Sequence, residues 1–190
     1  MAGPSRRDEA RGPRRPARPR ERGPESGATL AHTHSQLIAL PHESAGRVDV
    51  LARLAAGPCL LCAVLAEERS RAARLVADDG LLVAHCPWAS RQPYEVRIAP
   101  ARCEPDAYAS DLLGPALALA AECLRRIRAA AGGWVPVNVQ LVSSPLGRPV
   151  GHWWLEVVPR VTVPSLAELQ GDVGVNPLPP ERAAASLRAR

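Results

Sequence analysis

Apolar positions along residues 111–131 recur at helical steps, through Leu112, Leu113, Ala116, Leu117, Leu119, Ala120, Cys123, Leu124 and Ile127. This predicts the longest helix of the chain, stopped by Gly132-Gly133, with Arg125, Arg126 and Arg128 placed to suit the negative end of its dipole. Elsewhere the period drops to two. Leu75–Ala77 and Leu81–His85 flank Asp78-Asp79-Gly80, a hairpin signal, and Tyr94–Pro100 alternates as a third strand. Val135–Val142 and Gly151–Pro159 read as two more strands, the second carrying His152, Trp154 and Glu156 on alternate positions. Shorter helices are predicted over Val48–Ala56, ended by Gly57-Pro58, over Ala63–Arg74, and from Pro180 to Arg190. Antiparallel strands with one long helix among them make an α+β domain.

Upstream of these elements the apolar run Leu37–Pro41 follows directly on His32-Thr33-His34-Ser35-Gln36. As a strand, this stretch puts His32, His34 and Gln36 on one face and Thr33 and Ser35 on the other. Residues 1–27 have almost no large apolar side chain and cannot bury enough surface to offset ordering entropy, so a disordered Arg- and Pro-rich tail is expected there.

The tail changes how the net charge of +5 is read, because it holds eight Arg against four acidic residues. The remainder is nearly neutral, which argues against nucleic acid as a partner. No apolar run is long enough to cross a membrane, and no apolar leader segment precedes the cysteines. The five cysteines cannot all pair within one chain. A reducing cytoplasm is the expected setting, where thiols serve as metal ligands, small buried residues or catalytic groups. Cys86 and Cys123 read as small buried residues.

Two constellations carry candidate chemistry. Two imidazoles and an amide on one strand face, His32, His34 and Gln36, suit nucleophilic, basic or metal-binding work, and equally fit a solvated entry to a strand. Cys59-Leu60-Leu61-Cys62 after a helix stop presents two thiolates to one ion, and zinc needs two further ligands to close a tetrahedron. Cys103 and His152, at ends of predicted strands of one sheet, are the candidates, the alternative being that the cysteines are simply small buried residues. The C-x-x-C spacing also occurs in redox motifs, although no βαβ thioredoxin pattern surrounds it here.

Taken in order, H-x-H-S-Q-L-I-A-L-P, C-L-L-C with E-E-R a turn later, P-W-A-S-R-Q-P-Y-E-V-R-I-A-P, H-W-W-L-E-V-V-P-R and N-P-L-P-P-E-R-A-A-A-S-L-R resemble the galactose-1-phosphate uridylyltransferases of the histidine-triad superfamily. The resemblance runs from about Ala28 to Arg190. It implies a histidine-triad-like antiparallel sheet, with residues 28–47 as the last strand of a first repeat and 48–190 as a second repeat with a C-terminal extension. By it, His34 is the nucleophile that takes a uridylyl group from UDP-glucose and passes it to galactose 1-phosphate, and Gln36 hydrogen-bonds the phosphoryl oxygens. Cys59, Cys62, Cys103 and His152 occupy the zinc positions of the second repeat, with Cys103 where relatives usually have His. His32 is a remnant ligand of a first-repeat zinc site. A homodimer, a cytoplasmic setting and a place in galactose metabolism come with the same resemblance.

Departures from the family pattern matter as well. Thr33 and Ser35 stand where many relatives have Pro and Gly. Trp154 replaces the second His of an H-W-H strand, which leaves the second repeat without a nucleophile and without the His that a further metal site would need. The tail stands where relatives carry most of the first repeat, so a truncated or frameshifted polypeptide, or a genuine half-protein, is expected. An inactive zinc-stabilised domain that binds nucleotide or a partner is the alternative. A nucleoside diphosphate-sugar phosphorylase on the same scaffold is another.

Overall fold

The computed structural model describes residues 52–53, 57–144, 151–162, 166–171 and 174–190. Helix α1 (Leu60–Arg71) leads into the strands β1 (Leu75–Asp78), β2 (Leu82–His85) and β3 (Val96–Pro100). The long helix α2 (Leu113–Ala130) then precedes β4 (Val137–Val142) and β5 (Trp154–Pro159), and two helices end the chain, α3 (Leu166–Gly171) and α4 (Pro180–Arg188). All strand pairs are antiparallel, in the order β1-β2-β3-β5-β4. The α+β class with one long helix is therefore the one the spacing predicts. Helix α3 is not predicted by it. The tail, the strand at His32–Pro41 and all but two residues of the helix expected over Val48–Ala56 lie outside the described residues.

The hairpin between β1 and β2 turns where Asp78-Asp79-Gly80 requires. Gly80 sits at φ 87°, a left-handed conformation open to glycine, and the Asp78 and Asp79 carboxylates accept backbone N–H groups of Gly80, Leu81 and Leu82 at 2.7–2.9 Å. Arg69 of α1 forks onto Asp78 with bonds of 2.7 and 3.0 Å, tying helix to hairpin.

One face of the sheet presents Val76, Leu82, Ala84, Val96, Ile98, Leu155 and Val157 to Ala116, Ala120, Cys123 and Ile127 of α2 and to Ala183, Ala184 and Leu187 of α4. The 4-3-4 steps on α2 make a single stripe, and its alanines bring the helix close to the strands. Cys86 and Cys123 belong to this core, and burial pushes their thiols up to about 12 and about 11. On the opposite face Leu61 and Leu65 of α1 cover Val83 and Ala99. Strand β2 is thus buried on both sides, which is why its four residues show no polar alternation.

A polar row crosses that second face in register. Leu75 pairs with His85, His85 with Arg97, Arg97 with Glu156, and Glu156 with Gln140. Arg97 donates to Glu156 at 2.6 Å and lies over the Trp154 ring, 5.0 Å from its centroid. His85 is 1% exposed and neither ring nitrogen has a hydrogen-bond partner among the described residues. Burial, reinforced by the positive charges of Arg97 and Arg74, holds its pKa down at about 4. Nearby, Arg74 donates to Glu68 at 2.8 Å and to Glu181 at 2.9 Å, joining α1, the entry to β1 and α4.

Two outcomes follow for stability. The unfolded chain protonates His85 near pH 6.5, well above its folded value of about 4. Stability present above pH 6.5 is therefore lost as the pH falls toward 4, by at most about 3 kcal/mol. Chemical denaturation across that range gives a flatter profile for His85→Leu than for the native chain. Arg74→Ala strands the Glu68 carboxylate, which is 2% exposed, and lowers the unfolding free energy by about 3–5 kcal/mol in the same measurement.

Candidate metal centre

Helix α1 begins immediately after Cys59, which occupies its N-cap, and Cys62 lies in its first turn. The sequence reading starts this helix at Ala63 and leaves both cysteines in a knuckle before it; the helix instead starts at Leu60. A three-residue step on a helix brings side chains to one side, so the early start is what aims both sulfurs at one point. Cys103 follows the end of β3 and His152 precedes β5, and because these strands are neighbours the two loops meet.

The Sγ atoms of Cys59, Cys62 and Cys103 and a ring nitrogen of His152 all lie within 4.8 Å of one another. His152 Nδ1 is 3.7 Å from Cys59 Sγ and 3.5 Å from Cys62 Sγ. With metal–sulfur bonds of about 2.3 Å and metal–nitrogen bonds of about 2.0 Å, the edges of a tetrahedron are roughly 3.5–3.8 Å. The donors therefore stand near the spacing a four-coordinate ion requires.

The imidazole is also turned correctly. His152 Nε2 donates to the Pro100 carbonyl at 3.0 Å, which leaves the Nδ1 lone pair facing the sulfurs. Burial holds the His152 pKa below its ordinary value, against the Pro100 bond and the negative charge of Glu104, so the neutral ligand form is favoured. The three thiols share one small space. Burial opposes the Cys59 thiolate, but bonds from the Cys62 backbone and from the Cys103 and Cys62 side chains outweigh it and bring its pKa down. Burial and then Cys59 push Cys62 up to about 12 and push Cys103 up as well. Three sulfurs this close would ionise together only with a cation between them, and the residues fit one.

The surrounding loops are laced together. Cys103 Sγ donates to the Gly151 carbonyl at 3.4 Å, and Gly151, at φ 80°, makes the left-handed bend that delivers His152. The Glu104 carboxylate accepts from Ser110 Oγ at 2.5 Å and from the Trp153 indole at 3.3 Å. Sequence reasoning missed Glu104, whose only signal is its place beside Cys103. It also missed the Pro100 carbonyl, which no side-chain pattern announces. Of the predicted site residues, the structure brings Cys59, Cys62, Cys103 and His152 together, whereas His32, His34 and Gln36 lie outside the described residues. Trp154 is partly buried against the Val83 and Ala99 cluster.

No protein-family model matches the chain. A solved uridylyltransferase superposes with a TM-score of 0.74 and 26% identity, over 88% of this chain and 57% of that one. The chain resembles the uridylyltransferases. A galt-like protein from Arabidopsis thaliana gives a TM-score of 0.71 and 26% identity over the same shares. Among curated proteins, an ADP-glucose phosphorylase from Arabidopsis thaliana is 27% identical over 188 residues, 89% of this chain and 50% of that protein. The chain thus spans about half the length of the curated relative it matches. Among the described residues no helix is long and apolar enough to cross a membrane.

The four-donor cluster sets a direct test. Elemental analysis of the purified chain yields one metal ion per chain, and Cys62→Ser reduces that occupancy. Stripping the ion with a chelator lowers the thermal midpoint, because an ion that binds only the folded state stabilises it.

Proposed function

We propose that this polypeptide performs nucleotidyl transfer on a nucleotide sugar, with His34 as nucleophile and Gln36 as the phosphoryl contact. The observation that carries this reading is the joint likeness, in sequence and fold, to a uridylyltransferase and to an ADP-glucose phosphorylase. The likeness extends over 89% of the chain, and the H-x-H-S-Q pattern at residues 32–36 supports these two roles. The leading form is a UDP-glucose–hexose-1-phosphate uridylyltransferase.

The residues suit a double displacement. The neutral imidazole of His34 attacks the phosphorus next to the nucleoside, the bond to the departing glucose 1-phosphate breaks, and a nucleotidyl-histidine remains. A phosphate oxygen of galactose 1-phosphate then attacks the same phosphorus and the imidazole leaves. Gln36, an uncharged amide, steadies the changing charge on the phosphoryl oxygens without moving a proton.

Zinc is the metal proposed for Cys59, Cys62, Cys103 and His152. Bound there with all four positions filled by protein, it supplies rigidity and leaves no place for water. Residues 28–47 form the last strand of a first repeat and 48–190 the second repeat in this reading, with His32 as the remaining ligand of a first-repeat zinc site. A homodimer, a cytoplasmic setting and galactose metabolism belong to the same proposal.

One observation favours a second reading. The curated relative is an ADP-glucose phosphorylase, and in that chemistry inorganic phosphate takes the place of the sugar phosphate as acceptor. Incubation with UDP-glucose or ADP-glucose labelled in the phosphate next to the nucleoside separates the two. Covalent label at His34 that is discharged by galactose 1-phosphate supports the uridylyltransferase, and label discharged only by phosphate supports the phosphorylase. Label that survives His34→Ala, or no label from either donor by a zinc-loaded chain, overturns the proposal and leaves an inactive zinc-stabilised domain.

A further inference from the structure

Glu104 is used by nothing in the proposed transfer, yet it joins three segments beside the metal cluster. Its carboxylate Oε2 accepts both the Ser110 hydroxyl, at 2.5 Å, and the Trp153 indole N–H, at 3.3 Å. Its backbone carbonyl accepts the Trp153 N–H at 2.8 Å. One residue on, the Pro105 carbonyl accepts the Ser144 N–H at 3.0 Å, and the Ala107 N–H reaches Ser143 Oγ at 3.0 Å. The loop that carries Cys103 is therefore sewn along its length to the segments on either side of the β4–β5 connection.

Placement in the chain gives these bonds their meaning. Glu104 is covalently next to Cys103, and Trp153 is covalently next to His152. Two bonds between Glu104 and Trp153 thus fix the distance between two metal donors that lie 49 residues apart in sequence. Trp153 is fully buried in the core under α2, so its ring cannot yield if the loop shifts. Ser110, the third party, accepts the Leu112 N–H on its own oxygen at 3.1 Å while donating to Glu104. Its hydroxyl is thereby held by the turn that opens α2. A single carboxylate oxygen links the Cys103 loop, the His152 strand and the start of the long helix.

We infer that Glu104 is a positioning residue of the metal centre, which presets Cys103 and His152 at ligand spacing through the Trp153 indole bond its carboxylate accepts, with the Ser110 hydroxyl bond bracing that carboxylate from the start of α2. This rests on the reading of the four-donor cluster as a metal site. The role requires an acceptor at that place and does not require a charge, so Gln supplies it and Ala does not. Loss of an outer partner of a metal ligand lowers metal affinity about 10–100-fold. Glu104 constrains two ligands together.

The test uses the full chain loaded with cobalt(II) and titrated against a competing chelator. The native chain is measured first: if it takes up no cobalt and no zinc, the metal reading itself fails and this inference with it. With a metal-binding native chain, Glu104→Ala weakens cobalt affinity about tenfold or more and reduces the intensity of the four-coordinate visible absorption, whereas Glu104→Gln stays within about threefold. Ser110→Ala, which removes one donor and leaves the acceptor, gives an intermediate loss and serves where Glu104→Ala does not fold. A merely structural Glu104 lowers the thermal midpoint of the metal-free chain and leaves affinity and spectrum unchanged; that result overturns the inference. Equal losses in Glu104→Gln and Glu104→Ala overturn it too, by assigning the effect to charge.

Discussion

The imidazole of His152 is held from two sides, and much of the structure is arranged around that. Its Nε2–H is spent on the Pro100 carbonyl at the end of β3, so its other nitrogen faces the sulfurs of Cys59 and Cys62 on α1. A buried ring with one nitrogen hydrogen-bonded to backbone and the other presented to thiols has a single useful orientation. The ring sits where β5 begins and the β3 carbonyl where that strand ends, so the pairing of these two strands is a precondition of the site. The helix that brings the cysteines is then pressed onto the same face by Leu61 and Leu65. Site and fold share one set of contacts.

Sequence patterning revealed the parts that follow from local periodicity. The stripe on α2, the Asp-Asp-Gly hairpin, the alternation in β3 and β5 and the proline-led start of α4 are each written within a dozen residues. The four thiol and imidazole donors were legible for a different reason: few residue types bind metals, and C-x-x-C narrows the choice further. What escaped were the features created by pairing across long separations. That Cys62 lies inside α1 depends on the helix starting at Leu60, and a run of Leu-Leu-Cys-Ala carries no cap to announce it. Glu104 looks like any loop carboxylate until Trp153 and Ser110 are brought beside it. The stretch His32–Gln36, on which the proposed chemistry turns, lies outside the described residues.

The face of the sheet under α1 differs in kind from the face under α2. The latter is apolar throughout. The former contains His85 beside Arg97, and Glu156 beneath Trp154 and Arg97, in a row set by strand register and not by any local motif. Among the described residues, the buried side-chain polar atoms that lack a partner belong to Glu68, His85, Arg97 and Trp154, all on this side. Burying such groups costs free energy that a purely apolar packing avoids. A metal bound at the cysteine and histidine cluster would pin the start of α1 on the face that carries these groups.

The two margins of the sheet are unequal. At β1, Arg188 of α4 reaches over to donate to the Ala72 and Leu75 carbonyls, so that margin is closed by a side chain anchored in the last helix. At β4, the pairing among the described residues is with β5 alone, and Val139 stands 45% exposed. An open strand offers a row of amide donors and acceptors to whatever extended chain approaches it. Among the described residues, β4 therefore ends the sheet with its outer backbone groups unmatched by a further strand.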